Sequence, residues 1–220
     1  MGYSMANFSF RKYRPLSLRV WHWLTAVSIL GLLGTVLIRK TLLSWRTNAA
    51  LIEEKLKAAG ITITPELARE IAVAIRNPLW DWHIYLGFAL GALFIGRVFI
   101  AFLVERQFMG AEVFKAISGL PRVPESEKGD AYYFILVKAL YAVFYLFTAF
   151  MVVTGFMLTF KTDFGLSREL AQKTKELHEL AMWFFVGFVG VHILGVIAAE
   201  VGRFPGIVSD MISGGDRNQE

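Results

Sequence analysis

The residues best suited to chemistry in this 220-residue chain are four histidines, His22, His83, His178 and His192, and it has no Cys. Neutral imidazole is a common metal ligand and a proton carrier near pH 7. The absence of Cys excludes disulfides, thiolate-held iron–sulfur clusters, thiolate zinc sites and C-x-x-C-H haem attachment within the chain. His178 and His192 are 14 residues apart. At about 100° and 1.5 Å per helical residue they share one face and lie about 21 Å apart along the axis. One helix then offers two imidazoles at two depths.

The elements that must carry them are set by composition. Hydrophobic residues make up 55% and charged residues 19%, and mean hydropathy is +0.51. Soluble domains carry nearer a quarter charged residues. Four continuous apolar runs reach the roughly 20 residues that a bilayer requires, at about 18–38, 82–104, 135–160 and 179–199. Continuous rather than alternating apolarity predicts helices, not barrel strands. The first run is too long and too polar-flanked to be expected as a cleaved leader. The chain therefore divides into an N-terminal segment 1–17, a four-span domain 18–199 and a tail 200–220. Residues 39–81 form a long insert with its own helical signals: an amphipathic piece at Leu51–Ala59 stopped by Gly60, then Pro65–Arg76 between Thr64 and Asn77-Pro78. Residues 161–178 read as a short polar link, and the tail reads as frayed at Gly214-Gly215-Asp216.

Basic residues outside the spans divide nearly evenly between the two sides. Arg11, Lys12, Arg14 and Arg19 crowd the start of the first span with no acidic residue among them. The first helix usually dominates orientation, so both termini are expected in the cytoplasm. Nothing in the net charge of +5 suggests a nucleic-acid-binding surface.

Antiparallel spans pair the histidines by depth. His22 lies near the start of span one and His192 near the end of span four, on one side; His83 and His178 open spans two and four on the other. Two imidazoles at one depth suit a six-coordinate b haem, which needs a neutral nitrogen on each face of the iron and no tether. Two such haems, inner (His22, His192) and outer (His83, His178), would form an electron path across the membrane. Zinc binding or proton transport is the alternative from another class. Against it, each pair offers only two ligands, and no Asp or Glu lies inside a span away from its ends.

Other residues support the haem reading less directly. Gly87 and Gly91 follow His83 at i+4 and i+8, and Gly187, Gly190 and Gly195 surround His192. Glycine lets backbone approach a porphyrin face, though small residues equally serve helix packing. Arg97 lies 14 residues after His83, on its face and at the inner depth. Arg97, Arg19 and Lys138 are candidate partners for haem propionates. For Arg19 and Lys138, interfacial flanking explains the charge equally well. Trp21, Trp23, Trp80, Trp82 and Trp183 fit an aromatic belt.

These residues resemble the bacterial cytochrome b561 / Ni,Fe-hydrogenase b-type cytochrome family. The matching features are Arg19-Val20-Trp21-His22-Trp23, His83 with Arg97, Thr154-Gly155-Phe156, His178 with Trp183 and His192, and the tail Ser209–Gly214. The resemblance implies an all-α, four-helix bundle in the bacterial inner membrane, holding two b haems and exchanging electrons with quinone. It implies a peripheral partner carrying iron–sulfur clusters, in particular a Ni,Fe uptake hydrogenase, and Tyr141 becomes a candidate for a quinone site beside Arg19, Lys138 and Arg97. A free-standing, quinol-linked cytochrome acting as a homodimer is the alternative within the family. The insert at 39–81 is longer and more helical than the family pattern, which suits a docking surface or an interfacial cap.

Overall fold

The computed structural model describes residues 14–103, 111–202 and 205–215. The basic residues Arg11, Lys12, Arg106, Arg203 and Arg217 lie outside them. Eight α-helices follow in order: α1 Leu16–Lys40, α2 Trp45–Ala58, α3 Pro65–Arg76, α4 Pro78–Leu103, α5 Ala111–Gly119, α6 Lys128–Thr159, α7 Arg168–Val201 and α8 Ile207–Ser213. Single 3-10 turns at Leu120–Arg122 and Glu125–Glu127 join α5 to α6. The described residues contain no strand.

Four helices, α1, α4, α6 and α7, are long and apolar enough to cross a membrane and fit a four-span bundle. The protein is a multi-pass membrane protein of all-α class. Leu146, Leu180 and Leu194 are each 68% exposed, as lipid-facing side chains are and as water-facing leucines rarely are in such density. The helices outrun the apolar stretches. At 1.5 Å per residue the 34 residues of α7 span about 51 Å, against a hydrocarbon core of about 30 Å. The polar residues before His178, read from sequence as a link, are therefore helical turns. The Ser167 hydroxyl accepts from the Leu170 amide at 3.2 Å and caps α7. Lys173 pairs with Glu169 at 2.7 Å and Gln172 with Glu176 at 2.6 Å, each one turn apart. Such pairs hold polar turns helical without burial.

The chain forms two compact units, residues 25–90 and the remainder. In the first, α2 and α3 form an antiparallel hairpin. Gly60, at φ +79°, closes α2, and the Ile61 amide reaches back to Leu56 O at 2.9 Å. This left-handed cap needs glycine. The Thr64 hydroxyl caps α3 through the Leu67 amide at 3.2 Å, Pro65 opens the helix, and Ala68 and Ala72 are buried. Helix α3 spans the residues expected; α2 starts six residues earlier than its amphipathic core. The Arg69 guanidinium lies 4.7 Å over the Trp45 ring.

In the second unit, α6 packs along α7 through a ladder of rings. Phe147 stacks on Phe184 at 3.9 Å, Phe144 on Phe188 at 4.7 Å, and Phe188 on His192 at 5.8 Å. A small cluster of Ala116, Val123, Ala131 and Phe134 fixes α5 on the start of α6. The tail is docked rather than frayed as far as Gly215. Glu200 caps α8 by accepting from the Gly206 and Val208 amides at 3.0 and 2.9 Å. At the other end of α8 the Trp23 indole donates to Met211 O at 3.2 Å and Arg19 donates to Ile212 O. The Arg14 amide donates to Gly214 O at 2.8 Å. These contacts satisfy the carbonyls that a helix C-terminus leaves open. They also bring the start of α1 and the tail together.

Candidate haem site

Within the second unit His22, on the first turns of α1, faces His192, near the end of α7. Their ring centres are 6.1 Å apart with planes at 68°. Imidazoles on opposite sides of one metal, at metal–nitrogen distances of about 2.0 Å, put ring centres roughly 6 Å apart. His22 and His192 are thus spaced so that both could hold one metal between them. Trp23 lies 5.2 Å from the His22 ring, and Phe188 stacks parallel to His192.

The surroundings test the fit further. Among the described residues no three His, Asp or Glu converge as a metal cage. Two imidazoles alone suit a metal whose other ligands come from a macrocycle. The Arg19 Nε is buried without a hydrogen-bond partner, an orphaned donor of the kind a carboxylate satisfies. One of its two terminal nitrogens, Nη1, donates to Ile212 O, a role the sequence did not suggest. Arg97 sits 6.0 Å from the Trp21 ring. Trp21 donates to Leu93 O at 3.0 Å and stacks on Tyr145. Lys138 lies 5.3 Å from the Phe134 ring, and Tyr141 is partly exposed on α6.

The other two histidines are each braced by a hydroxyl. In the first unit His83 Nδ1 lies 2.9 Å from Thr35 Oγ1, and Trp80 stacks on the ring at 5.0 Å with planes 4° apart. Arg39 lies 5.1 Å from the same Trp80 ring and donates to Arg76 O. A Cβ at Gly31 would stand 2.8 Å from Leu86 Cδ1, so glycine permits this close crossing of α1 and α4. In the second unit His178 Nδ1 lies 2.8 Å from Thr154 Oγ1. A Cβ at Gly155 would stand 3.4 Å from His178 Cε1. Both residues of the Thr-Gly dipeptide therefore stand against His178: one bonds the imidazole, and the next lies where a Cβ would just touch it.

The glycines singled out from sequence divide. A Cβ at Gly87 would meet nothing within 4 Å, and the same holds at Gly187, Gly190 and Gly195. A Cβ at Gly91 would stand 3.3 Å from Val152, so helix packing uses this position. Sequence reasoning missed Thr35, and it gave Thr154 only as part of a family motif and Trp80 and Trp21 only as an aromatic belt.

The model of the prokaryotic cytochrome b561 family matches residues 13–214. A probable Ni/Fe-hydrogenase B-type cytochrome subunit of Azotobacter vinelandii is 25% identical over 231 aligned positions, covering 90% of this chain and 84% of the relative. A protein of the same description from Bradyrhizobium diazoefficiens is 29% identical over 159 positions, 60% of this chain and 64% of its own length. No solved structure matches. Four membrane-spanning helices, histidines on three of them and a family match over nearly the whole chain lead to one conclusion: the chain belongs to the prokaryotic cytochrome b561 family, membrane cytochromes of the b type that serve electron transfer.

Proposed function

We propose that this protein is a di-haem cytochrome subunit passing electrons between a peripheral oxidoreductase, a Ni,Fe uptake hydrogenase, and the membrane quinone pool. The observation that carries it is the pair His22 and His192, whose ring centres lie 6.1 Å apart, close enough to share one metal. On this reading His22 and His192 hold the inner haem, and His83 and His178 the outer one, paired by their depth in the spans. A b haem held by two imidazoles supplies a one-electron ferric/ferrous centre.

The chain's own residues do the rest. The spans carry the four imidazoles at two depths and exclude water from them. Arg19, Arg97 and Lys138 balance propionate charge; for Arg19 the buried, orphaned Nε supports the role. Gly87, beside which a Cβ would meet open space, leaves room for a macrocycle face, and Gly91 keeps α4 close to α6. Tyr141, with Arg19 and Lys138 near the same membrane side, is offered as the quinone-binding group. The hydrogenase assignment rests on the descriptions of the two relatives. With no Cys in the chain, clusters must come from the partner. The hairpin α2–α3 is the surface offered to it.

The protein lies in the bacterial inner membrane with residues 1–17 and 200–220 in the cytoplasm. The Arg14–Gly214 bond supports placing both ends on one side, and the basic flank of α1 supports the cytoplasmic one. The test is a pyridine haemochrome and a reduced-minus-oxidised spectrum of purified protein. The expected result is two b haems per chain; protein without haem overturns the proposal. Hydrogen-dependent reduction of those haems in membranes, lost on deleting a co-purifying large subunit, checks the partner. A lone, active homodimer would instead favour the free-standing cytochrome.

A further inference from the structure

Thr35 and Thr154 sit on different helices, brace different histidines, and do so with the same geometry. Each hydroxyl has one proton and several possible neighbours. Thr35 Oγ1 lies 2.7 Å from Leu32 O and 2.9 Å from His83 Nδ1. Thr154 Oγ1 lies 2.7 Å from Phe150 O and 2.8 Å from His178 Nδ1. A carbonyl oxygen can only accept, and two oxygens at 2.7 Å repel unless a proton lies between them. The hydroxyl proton is therefore directed at the main chain, as is common for Thr within a helix. The lone pair that remains can only accept, so the proton on the imidazole contact belongs to Nδ1. A neutral imidazole carries a single N–H, which leaves the lone pair on Nε2.

We propose that Thr35 and Thr154 are positioning residues for axial ligation. They fix His83 and His178 as the Nδ1–H tautomer, present Nε2 to iron, and make both imidazoles stronger donors. This rests on the reading of His83 and His178 as haem ligands. Packing completes the positioning: Trp80 stacks on His83 and fixes its plane, and the backbone at Gly155 lies against Cε1 of His178. The facing pair differs, since aromatic rings and no hydroxyl stand against His22 and His192 among the described residues. A hydrogen-bonded Nδ1–H raises ligand basicity and favours the ferric state. The two haems are thereby set apart in potential by their ligands' outer partners.

The experiment is a redox titration of purified haem-loaded protein carrying Thr35→Val, Thr154→Val, both together, or the matching serines. Each valine is expected to shift one of the two haem waves to higher potential, the pair to shift that same wave further, and the other wave to stay. The serines should restore the wild-type position. Valine variants that leave both waves unmoved, or move both equally, overturn the inference. A second measurement needs no variant. In reduced wild-type protein labelled with 15N-histidine, two of the four axial Nδ1–H protons should exchange with solvent far more slowly than the other two. Equal exchange of all four overturns the inference even where a valine variant fails to fold. Wild-type protein without haem overturns the function proposed above instead, and that is read before any variant.

Discussion

His83 and His178 each lean on a threonine that is itself tied to its helix, whereas His22 and His192 face each other among aromatic rings. The first arrangement is directional. A hydrogen bond fixes the tautomer and the ring rotation, and each brace is local to one helix pair. The second is steric. Stacking fixes a plane but leaves the proton undetermined, and the position of His22 depends on how the start of α1 is held by α8. One chain thus holds the same side chain by two physical means, with different vulnerabilities.

On the proposed two-haem reading, the largest effects come from removing a histidine that would hold iron. His192→Ala should lose one of two haems and keep the Thr-braced one; His83→Ala should lose the other. Haem stoichiometry checks both, and equal loss of both haems from either variant would break the division into two pairs. Next is Gly155→Leu, which drives a branched side chain toward His178 Cε1. It should weaken retention of the outer haem roughly 10-fold or more, the range seen when a ligand's outer partner is lost, while the inner haem is kept during dialysis against apomyoglobin. Gly155→Ala, adding one atom at ordinary contact distance, should be tolerated.

Trp23→Phe tests the steric side. It removes the indole bond to Met211 O, a loss of about 1 kcal/mol. Melting in detergent, followed at the haem band, should shift modestly, and only the inner haem's spectrum should broaden. Broadening of both would show that the two regions are not independent. The smallest effect belongs to Thr64→Ala, which removes the α3 cap. It should cost about 0.5–1 kcal/mol in local stability, visible in amide exchange of α3, with haem content and potentials unchanged.

The spans and the histidines were legible because their signals are local. A continuous apolar run states its own element, and the spacing of His178 and His192 places both on one face without knowledge of a neighbour. The roles of the threonines were not legible. Thr35 looks like filler in an apolar run, and Thr154 stood only as part of a family motif; what each bonds depends on the register between α1 and α4 or α6 and α7, which no single helix encodes. The polar turns before His178 misled for a different reason. They are charged, so they fall outside any hydropathy window, yet a cap and pairs one turn apart keep them helical. The tail misled through its glycines. Gly214 adopts φ +112°, and a Cβ there would stand 3.4 Å from the Arg19 guanidinium, so this glycine marks a docking point rather than a loose end.

The docking of α8 also imposes an order on synthesis. Arg19 leaves the ribosome 193 residues before the carbonyl it binds, and Trp23 188 residues before its own partner. At about 5–20 residues per second that interval is roughly 10–40 s. Throughout it, the contacts of Arg19 and Trp23 with α8 cannot form. The clasp beside His22 can therefore close only after every span has been synthesised.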